Sequence, residues 1–298
     1  MAPPTAAGRR PLLGVLLVLV SAAAIAVAPT AAKLALDAGA NTPTVVAARA
    51  VVGAALVGLL IAWSGQAFAV DREARKRCFR AGVFYALASA GFIGSVAFIP
   101  VSLAVLIVFT HPLLVAAASH RLGGDRLTPR KLALALAALA GVGLALRPET
   151  GSLDPVGVGL AALGACAACG MILLTARAQE RATTLQVNFH MAALTAAAFA
   201  AGATAADAWS FPSGPVGWLG LFGAGAGLAV GLLAFFAAFR HIGPVRATML
   251  SNVEPLLSIL VAVAVLGESL GPWQWGGAAL VVGALVLFEA PGREGRRP

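Results

Sequence analysis

Long apolar runs separated by short polar breaks make up almost the whole chain, and this pattern restricts the fold more than any other feature. A bilayer core of about 30 Å is crossed by about 20 helical residues. Ten runs have roughly this length, at 11–32, 43–63, 79–96, 99–119, 131–147, 155–176, 185–206, 214–238, 243–266 and 272–289. Because lipid cannot satisfy free backbone groups, each run should form a helix. We therefore predict an all-α integral membrane protein with ten transmembrane helices.

The composition excludes several classes of protein. Of 298 residues, 60% are hydrophobic and only 11% are charged, which is too few charges to cover the surface of a soluble domain. The net charge of +9 is confined to the polar breaks, so we interpret the basic stretch 72–80 as a topology signal that contacts anionic lipid rather than nucleic acid. Three cysteines form no disulfide framework, and no Gly-x4-Gly-Lys loop for ATP is present. We predict no cofactor and no metal site.

The distribution of basic residues predicts the orientation. With the N-terminus in the cytoplasm, only Lys33 and Arg147 fall on the opposite side and Arg49 lies within a span, which leaves 18 of the 21 Lys and Arg residues on the cytoplasmic side. This asymmetry is typical of cytoplasmic loops. We predict that both termini are cytoplasmic and that the protein resides in a bacterial inner membrane.

The second half of the chain repeats the first at an offset of 143 residues. His111-Pro112-Leu113-Leu114 aligns with Glu254-Pro255-Leu256-Leu257, and a Gly-acidic-x-Leu-x-Pro pattern occurs at 124–129 and again at 267–272. Since each copy has five spans, an odd number, the second enters the membrane inverted. The predicted organisation is a tail at 1–10, one five-helix repeat at 11–149, its inverted copy at 150–290, and a tail at 291–298.

These motifs resemble the drug/metabolite transporter superfamily, and specifically its EamA-like exporter branch. The residues that carry the resemblance are Glu254-Pro255-Leu256-Leu257, Leu266-Gly267-Glu268-Ser269-Leu270, Gln274, Gly276-Gly277-Ala278-Ala279-Leu280, Pro112, Gly124-Asp125-Arg126-Leu127-Thr128-Pro129 and Arg49. The resemblance covers roughly residues 12–289. It implies a secondary transporter, often an exporter of amino acids or related metabolites, with cytoplasmic termini.

The strongest candidate site is the polar cluster Ser251, Asn252 and Glu254 in the ninth span. Glu254 is placed near mid-membrane, and Pro255 removes the usual hydrogen-bond partner of the Ser251 carbonyl. His111-Pro112 occupies the equivalent position in the fourth span. We predict that the fourth and ninth spans line a central cavity, with helix breaks or hinges at Pro112, Pro255, Gly243 and Pro244. A structural role for Glu254 and for His111 is the alternative.

Five further polar residues are candidates for substrate binding, each with a structural alternative. Arg49 can bind a carboxylate or extend its side chain to the headgroups. Tyr85 and Ser89 share one face of the third span, and Asn188 and His190 lie near the start of the seventh.

We predict a secondary exporter of small organic solutes, amino acids with hydrophobic or aromatic side chains being favoured, that works by alternating access. The expected partners are this substrate, membrane lipids and, if transport is coupled, protons. A drug or lipid-linked metabolite carrier is the alternative within the same class, and a passive channel and an intramembrane enzyme are the alternatives outside it. No arrangement of nucleophile and base supports an enzyme. The oligomeric state is left open.

Overall fold

The computed structural model of the protein describes residues 10–123, 128–146, 154–266 and 271–289, and the regular structure in these ranges is helical. A 3-10 turn, Ser251–Val253, precedes α10. The α-helices are α1 Pro11–Asp37, α2 Thr42–Trp63, α3 Arg72–Ser95, α4 Val101–Val108, α5 His111–Arg121, α6 Pro129–Leu146, α7 Pro155–Ala178, α8 Thr184–Ala205, α9 Gly214–Leu250, α10 Glu254–Leu266 and α11 Pro272–Glu289.

Several helices begin where side chains satisfy the free N–H groups of the first turn. Asn41, Asp71 and Asp154 accept backbone N–H groups at the starts of α2, α3 and α7. At the start of α8, Thr183 and Gln186 form a reciprocal capping box. Because Asp71 caps α3, this helix begins at Arg72 rather than at the predicted residue 79, and the basic stretch is helical.

Seven stretches within the described residues are long and apolar enough to cross a membrane. One of them, Gly214–Ser258, has 45 residues and overlaps the predicted eighth and ninth spans, while Pro272–Phe288 is a shorter apolar helix. Each predicted span overlaps one or more described helices, but the count of ten crossings stays a prediction. The chain is a multi-pass integral membrane protein.

The helix bounds repeat at the predicted offset. Helices α5 and α10 begin at His111 and Glu254, and α6 and α11 begin at Pro129 and Pro272, which in both cases lie 143 residues apart. The chain also leaves helical geometry at Gly243, the position equivalent to Pro100, which precedes α4. The Gly-acidic-x-Leu-x-Pro turns at 124–129 and 267–272 lie mostly outside the described residues.

Equivalent helices make equivalent contacts across the two copies. Helix α1 packs along α9, and its equivalent α7 packs along α3, while α2 packs on α8 and α6 on α11. Small residues allow these close approaches. A Cβ on Gly220 would lie 2.5 Å from the Ala31 carbonyl oxygen of α1, and one on Gly91 would lie 2.7 Å from the Leu160 carbonyl oxygen of α7.

The equivalent loop contacts lie at opposite ends of α2. At its N-terminal end, Asn41 donates to the Ala208 carbonyl over 3.0 Å. At its C-terminal end, Gln186 donates to the Ala67 carbonyl over 2.7 Å. Residue 41 is equivalent to 184 and residue 67 to 210, so exchanging the two copies carries one contact region onto the other. The two copies are therefore related by two-fold pseudosymmetry.

The predicted fourth and ninth spans differ from single kinked helices. Helix α4 ends at Val108 and α5 begins at His111, while the 3-10 turn separates α9 from α10. Pro112 and Pro255 each occupy the first turn of a new helix, where a missing N–H costs no hydrogen bond. The carbonyl of Ser251, which lacks its usual partner, accepts the N–H of Glu254 instead.

Candidate functional site

A cavity lies where α2, α3, α8 and α9 meet. Three of the predicted site residues, Arg49, Tyr85 and Asn188, face it from three different helices. Its lining consists of Arg49, Ala50, Gly53, Val57, Tyr85, Asn188, Met191, Ala192, Leu228, Ala229, Leu232 and Phe236. The cavity thus joins polar groups that lie far apart in the sequence.

The polar groups that line this cavity make few hydrogen bonds to other parts of the described chain. Arg49 makes no hydrogen bond or ion pair within the described part of the chain, and the phenol of Tyr85 lines the same cavity. Asn188 donates its amide N–H to the Thr184 carbonyl on its own helix over 2.9 Å. This bond leaves the amide oxygen of Asn188 as an acceptor. The site therefore offers both donors and acceptors.

The rest of the wall is apolar, with Val57, Met191, Leu228, Leu232 and Phe236 as its larger members. The cavity volume is about 20 Å³, which is room for about one water molecule. A guanidinium among such groups has lost most of its hydration, and this cost is offset only by an anionic or strongly polar partner. The arrangement favours a small solute with one charged end and one apolar end.

The cavity lies on the axis that relates the two copies. Arg49 and Ala192 are 143 residues apart, as are Tyr85 and Leu228, and all four line it. Only a site on the symmetry axis is reached by both members of two equivalent pairs. The first copy contributes the cation and the phenol, whereas the second contributes small or apolar side chains at the same positions. The apolar lining was missed in the sequence analysis, although the offset of 143 identifies residues 192 and 228 once Arg49 and Tyr85 are chosen.

Several predicted site residues hydrogen-bond to their own chain segment instead. Ser251 donates to the Thr248 carbonyl over 2.8 Å, and Asn252 donates to the Met249 carbonyl over 2.9 Å. The ring Nδ1 of His111 lies 2.9 Å from the Val108 carbonyl oxygen, and that of His190 lies 2.8 Å from the Gln186 carbonyl oxygen. These four side chains do not line the cavity.

Glu254 and Ser89 also lie outside this lining. Glu254 begins α10, and its carboxylate has no hydrogen-bond or ion-pair partner among the residues that the structure describes. The cavity at Arg49 lies between the second, third, seventh and eighth predicted spans, and a cavity between the fourth and ninth spans stays a prediction. The transport roles of Glu254, His111 and Ser89 stay predictions.

The helices are interrupted at or beside the predicted breaks, while a hinge motion at these residues stays a prediction. Gly243 has φ +75° and ψ 163° inside α9, a conformation that only glycine adopts readily. Pro244 follows it and begins the short helical segment before the 3-10 turn. Pro112 and Pro255 lie in the first turns of α5 and α10. Within the described ranges, no group of three or more His, Cys, Asp or Glu side chains is arranged to hold a metal ion.

Comparisons with known proteins agree with this architecture. The model of the EamA-like transporter family matches twice, at residues 12–147 and 155–289. A search of the curated proteins found no match. A solved structure titled "Crystal structure of protein" superposes with a TM-score of 0.75 at 22% identity, over 93% of this chain and 96% of that one. At this identity, the likeness shows a shared fold.

Proposed function

The chain belongs to the EamA-like transporter family, and on this premise we propose that it is a secondary transporter that exports small organic solutes. Its favoured substrates are amino acids with hydrophobic or aromatic side chains, or related metabolites. The observation that carries the proposal is the position of Arg49, a cation without an ion-pair partner among the described residues, in an apolar cavity on the axis between the two copies.

The chemistry of the cavity matches a zwitterion with an apolar side chain. The planar guanidinium of Arg49 can hold a carboxylate through two parallel hydrogen bonds. The amide oxygen of Asn188 and the hydroxyl of Tyr85 are acceptors for an ammonium group. The flexible side chain of Met191 and the aromatic ring of Phe236 can pack against the apolar side chain of the substrate. A neutral drug would leave Arg49 unpaired.

The size of the cavity favours a carrier over a channel. A solute as large as an amino acid enters a volume of about 20 Å³ only when the surrounding helices move apart. In two inverted copies, each half can adopt the conformation of the other, and the cavity then opens to each side in turn. Gly243 and the equivalent break at Pro100 supply the points where α9 and the segment before α4 can bend.

The same proposal orients the protein in a bacterial inner membrane with both termini in the cytoplasm. The loop contacts at Ala67 and at Arg77 then lie on the cytoplasmic side, together with most of the basic residues. Coupling to protons is assigned to Glu254, whose carboxylate has no partner among the described side chains. Glu254→Gln should keep substrate binding and abolish the stimulation of transport by a pH gradient, while unchanged stimulation would remove Glu254 from the mechanism.

Proteoliposomes containing the purified protein test the function directly. Saturable uptake of a radiolabelled hydrophobic amino acid, competed by other amino acids and accelerated by unlabelled substrate on the opposite side, is the expected result. Such acceleration is a property of carriers and not of channels. Absence of saturable, competable flux for amino acids in this assay, with a folded and monodisperse protein, would refute the proposed substrate class.

A further inference from the structure

We propose that the first two turns of α3 form a binding site for the headgroup of an anionic phospholipid. The site is a groove of about 330 Å³ lined by Arg72, Arg75, Lys76, Phe79 and Arg80. We call it the basic groove. It lies outside the transport cavity and does not depend on the function proposed above.

Helical geometry places these side chains on one face. At about 100° per residue, the five positions fall within an arc of about 140°. The opposite face of the same turns is buried, and its members are Ala74, Cys78 and Ala81. Arg77 lies outside the groove, since it donates to the Arg177 carbonyl and pairs with Glu180 over 2.8 Å. The helix therefore separates a cation used for internal packing from the cations that face outward.

The cations of the basic groove are mostly free to bind an external anion. Lys76 pairs with Glu73 over 2.7 Å. Arg72, Arg75 and Arg80 have no ion pair or hydrogen bond with any side chain in the described ranges. Three guanidinium groups on one helical face can surround a phosphate, for which their planar donors are well suited.

An apolar surface continues from the basic groove toward the bilayer. Phe79 lies among the cations with 58% of its surface exposed. Two turns further along the same face, Leu87 is 42% exposed. A phospholipid whose phosphate binds the arginines can lay its acyl chain along this surface. Inorganic phosphate has no group for Phe79, so the combination favours a lipid over a free anion.

The equivalent turns of the second copy have the opposite character. Residues 143 positions after Arg75 and Phe79 are Trp218 and Phe222, which belong to a stacked aromatic series with Phe211 and Trp209. Aromatic residues of this kind are typical of membrane interfaces without a specific charge requirement. The two copies have therefore diverged at this position, and only the first has a site for a negative charge.

Native mass spectrometry of the full-length protein in detergent tests this assignment. The probes are phosphatidylglycerol, phosphatidylcholine and inorganic phosphate as a competitor. We expect saturable binding of phosphatidylglycerol in preference to phosphatidylcholine. The triple variant Arg72→Gln, Arg75→Gln, Arg80→Gln should bind phosphatidylglycerol roughly 100-fold more weakly, since each basic residue near an anionic lipid contributes about fivefold to the affinity.

A second triple variant is the matched control. Arg10→Gln, Arg121→Gln and Arg177→Gln remove the same charge from exposed positions outside the basic groove and should change the affinity less than about threefold. Phe79→Ala should weaken the binding of phosphatidylglycerol about threefold to tenfold and leave the affinity of the basic groove for inorganic phosphate unchanged. Because all these side chains are exposed, each variant should keep the melting temperature of the parent protein.

Two results would overturn the proposal. Equal loss of affinity in both triple variants would show that phosphatidylglycerol responds to total charge rather than to the basic groove. Displacement of the lipid by phosphate at equal concentration, with no effect of Phe79→Ala, would show that the groove binds a free anion and not a lipid.

Discussion

Exchanging the cation across the symmetry axis is the sharpest test of the transport cavity. Arg49 and Ala192 are equivalent positions that line the same space. If the cavity binds the carboxylate of the substrate, an arginine at position 49 or at position 192 should be able to bind it. We therefore compare Arg49→Ala with the double variant Arg49→Ala, Ala192→Arg.

The expected loss in Arg49→Ala follows from the bonds removed. A hydrogen bond to a charged group contributes about 1.5–3 kcal/mol, so the apparent substrate affinity should fall roughly 10- to 150-fold. The double variant should recover at least about tenfold of that loss, because the removed side chain leaves space for the new one. Arg49→Lys keeps the charge without the planar pair of donors and should lie between the parent protein and Arg49→Ala.

Counterflow in proteoliposomes measures these affinities, with a hydrophobic amino acid as substrate and the corresponding amino alcohol, which lacks the carboxylate, as competitor. The parent protein should prefer the amino acid, Arg49→Ala should not distinguish the two, and the double variant should regain the preference. Melting temperatures of the purified proteins control for folding. If Arg49→Ala transports the amino acid with unchanged affinity and unchanged preference, Arg49 does not bind the carboxylate and the reasoning fails.

Three further predictions concern stability and motion. Gly277→Ala should destabilise the contact of α11 with the α6 backbone by about 1–3 kcal/mol, whereas Gly283→Ala, which meets nothing within 4 Å, should leave the melting temperature nearly unchanged; equal effects would contradict the packing. Gly243→Ala should cost about 1–3 kcal/mol because its φ is +75°, and should slow counterflow in the same assay; full activity would exclude a hinge there. The N–H of Ala74 lowers the pKa of the Asp71 carboxylate. The stability that this cap contributes is therefore present above the pKa of Asp71 in the unfolded chain and is lost as the pH falls through its pKa in the folded protein. The difference in melting temperature between the parent protein and Asp71→Ala should shrink on acidification, and a constant difference would refute the linkage.

The positions of the helices could be predicted from the sequence because the lengths of the apolar runs, and the residues at their ends, indicate where helices begin and end. The predicted run 272–289 coincides with α11, and the offset of 143 recurs in the helix starts at His111 and Glu254. The prolines at 112 and 255 indicated the breaks at 109–110 and at the 3-10 turn, but not that each break ends one helix and begins another. There, hydroxyl groups such as that of Thr110, which donates to the Ile107 carbonyl over 2.7 Å, end a helix without any marked change in hydropathy.

The site was only partly accessible for a different reason. A sequence identifies polar groups that are costly in lipid, but not the partners that relieve that cost. Ser251, Asn252 and His111 relieve it on backbone carbonyls three residues earlier in the chain, whereas Arg49 has no such partner within reach of its own helix. Which helices meet on the axis depends on small-residue contacts such as that of Gly225 with α2, and these are not visible in composition.

Labelling of two loop positions tests the inverted arrangement most directly. Ser64 follows α2, Ser213 precedes α9, and the two loops are equivalent under the offset of 143. In a background in which Cys78, Cys166 and Cys169 are replaced by alanine, Ser213→Cys should react in intact cells with a membrane-impermeant thiol reagent. Ser64→Cys should react only after the membrane is permeabilised. Reaction of both positions from the same side would contradict two inverted copies around a shared cavity.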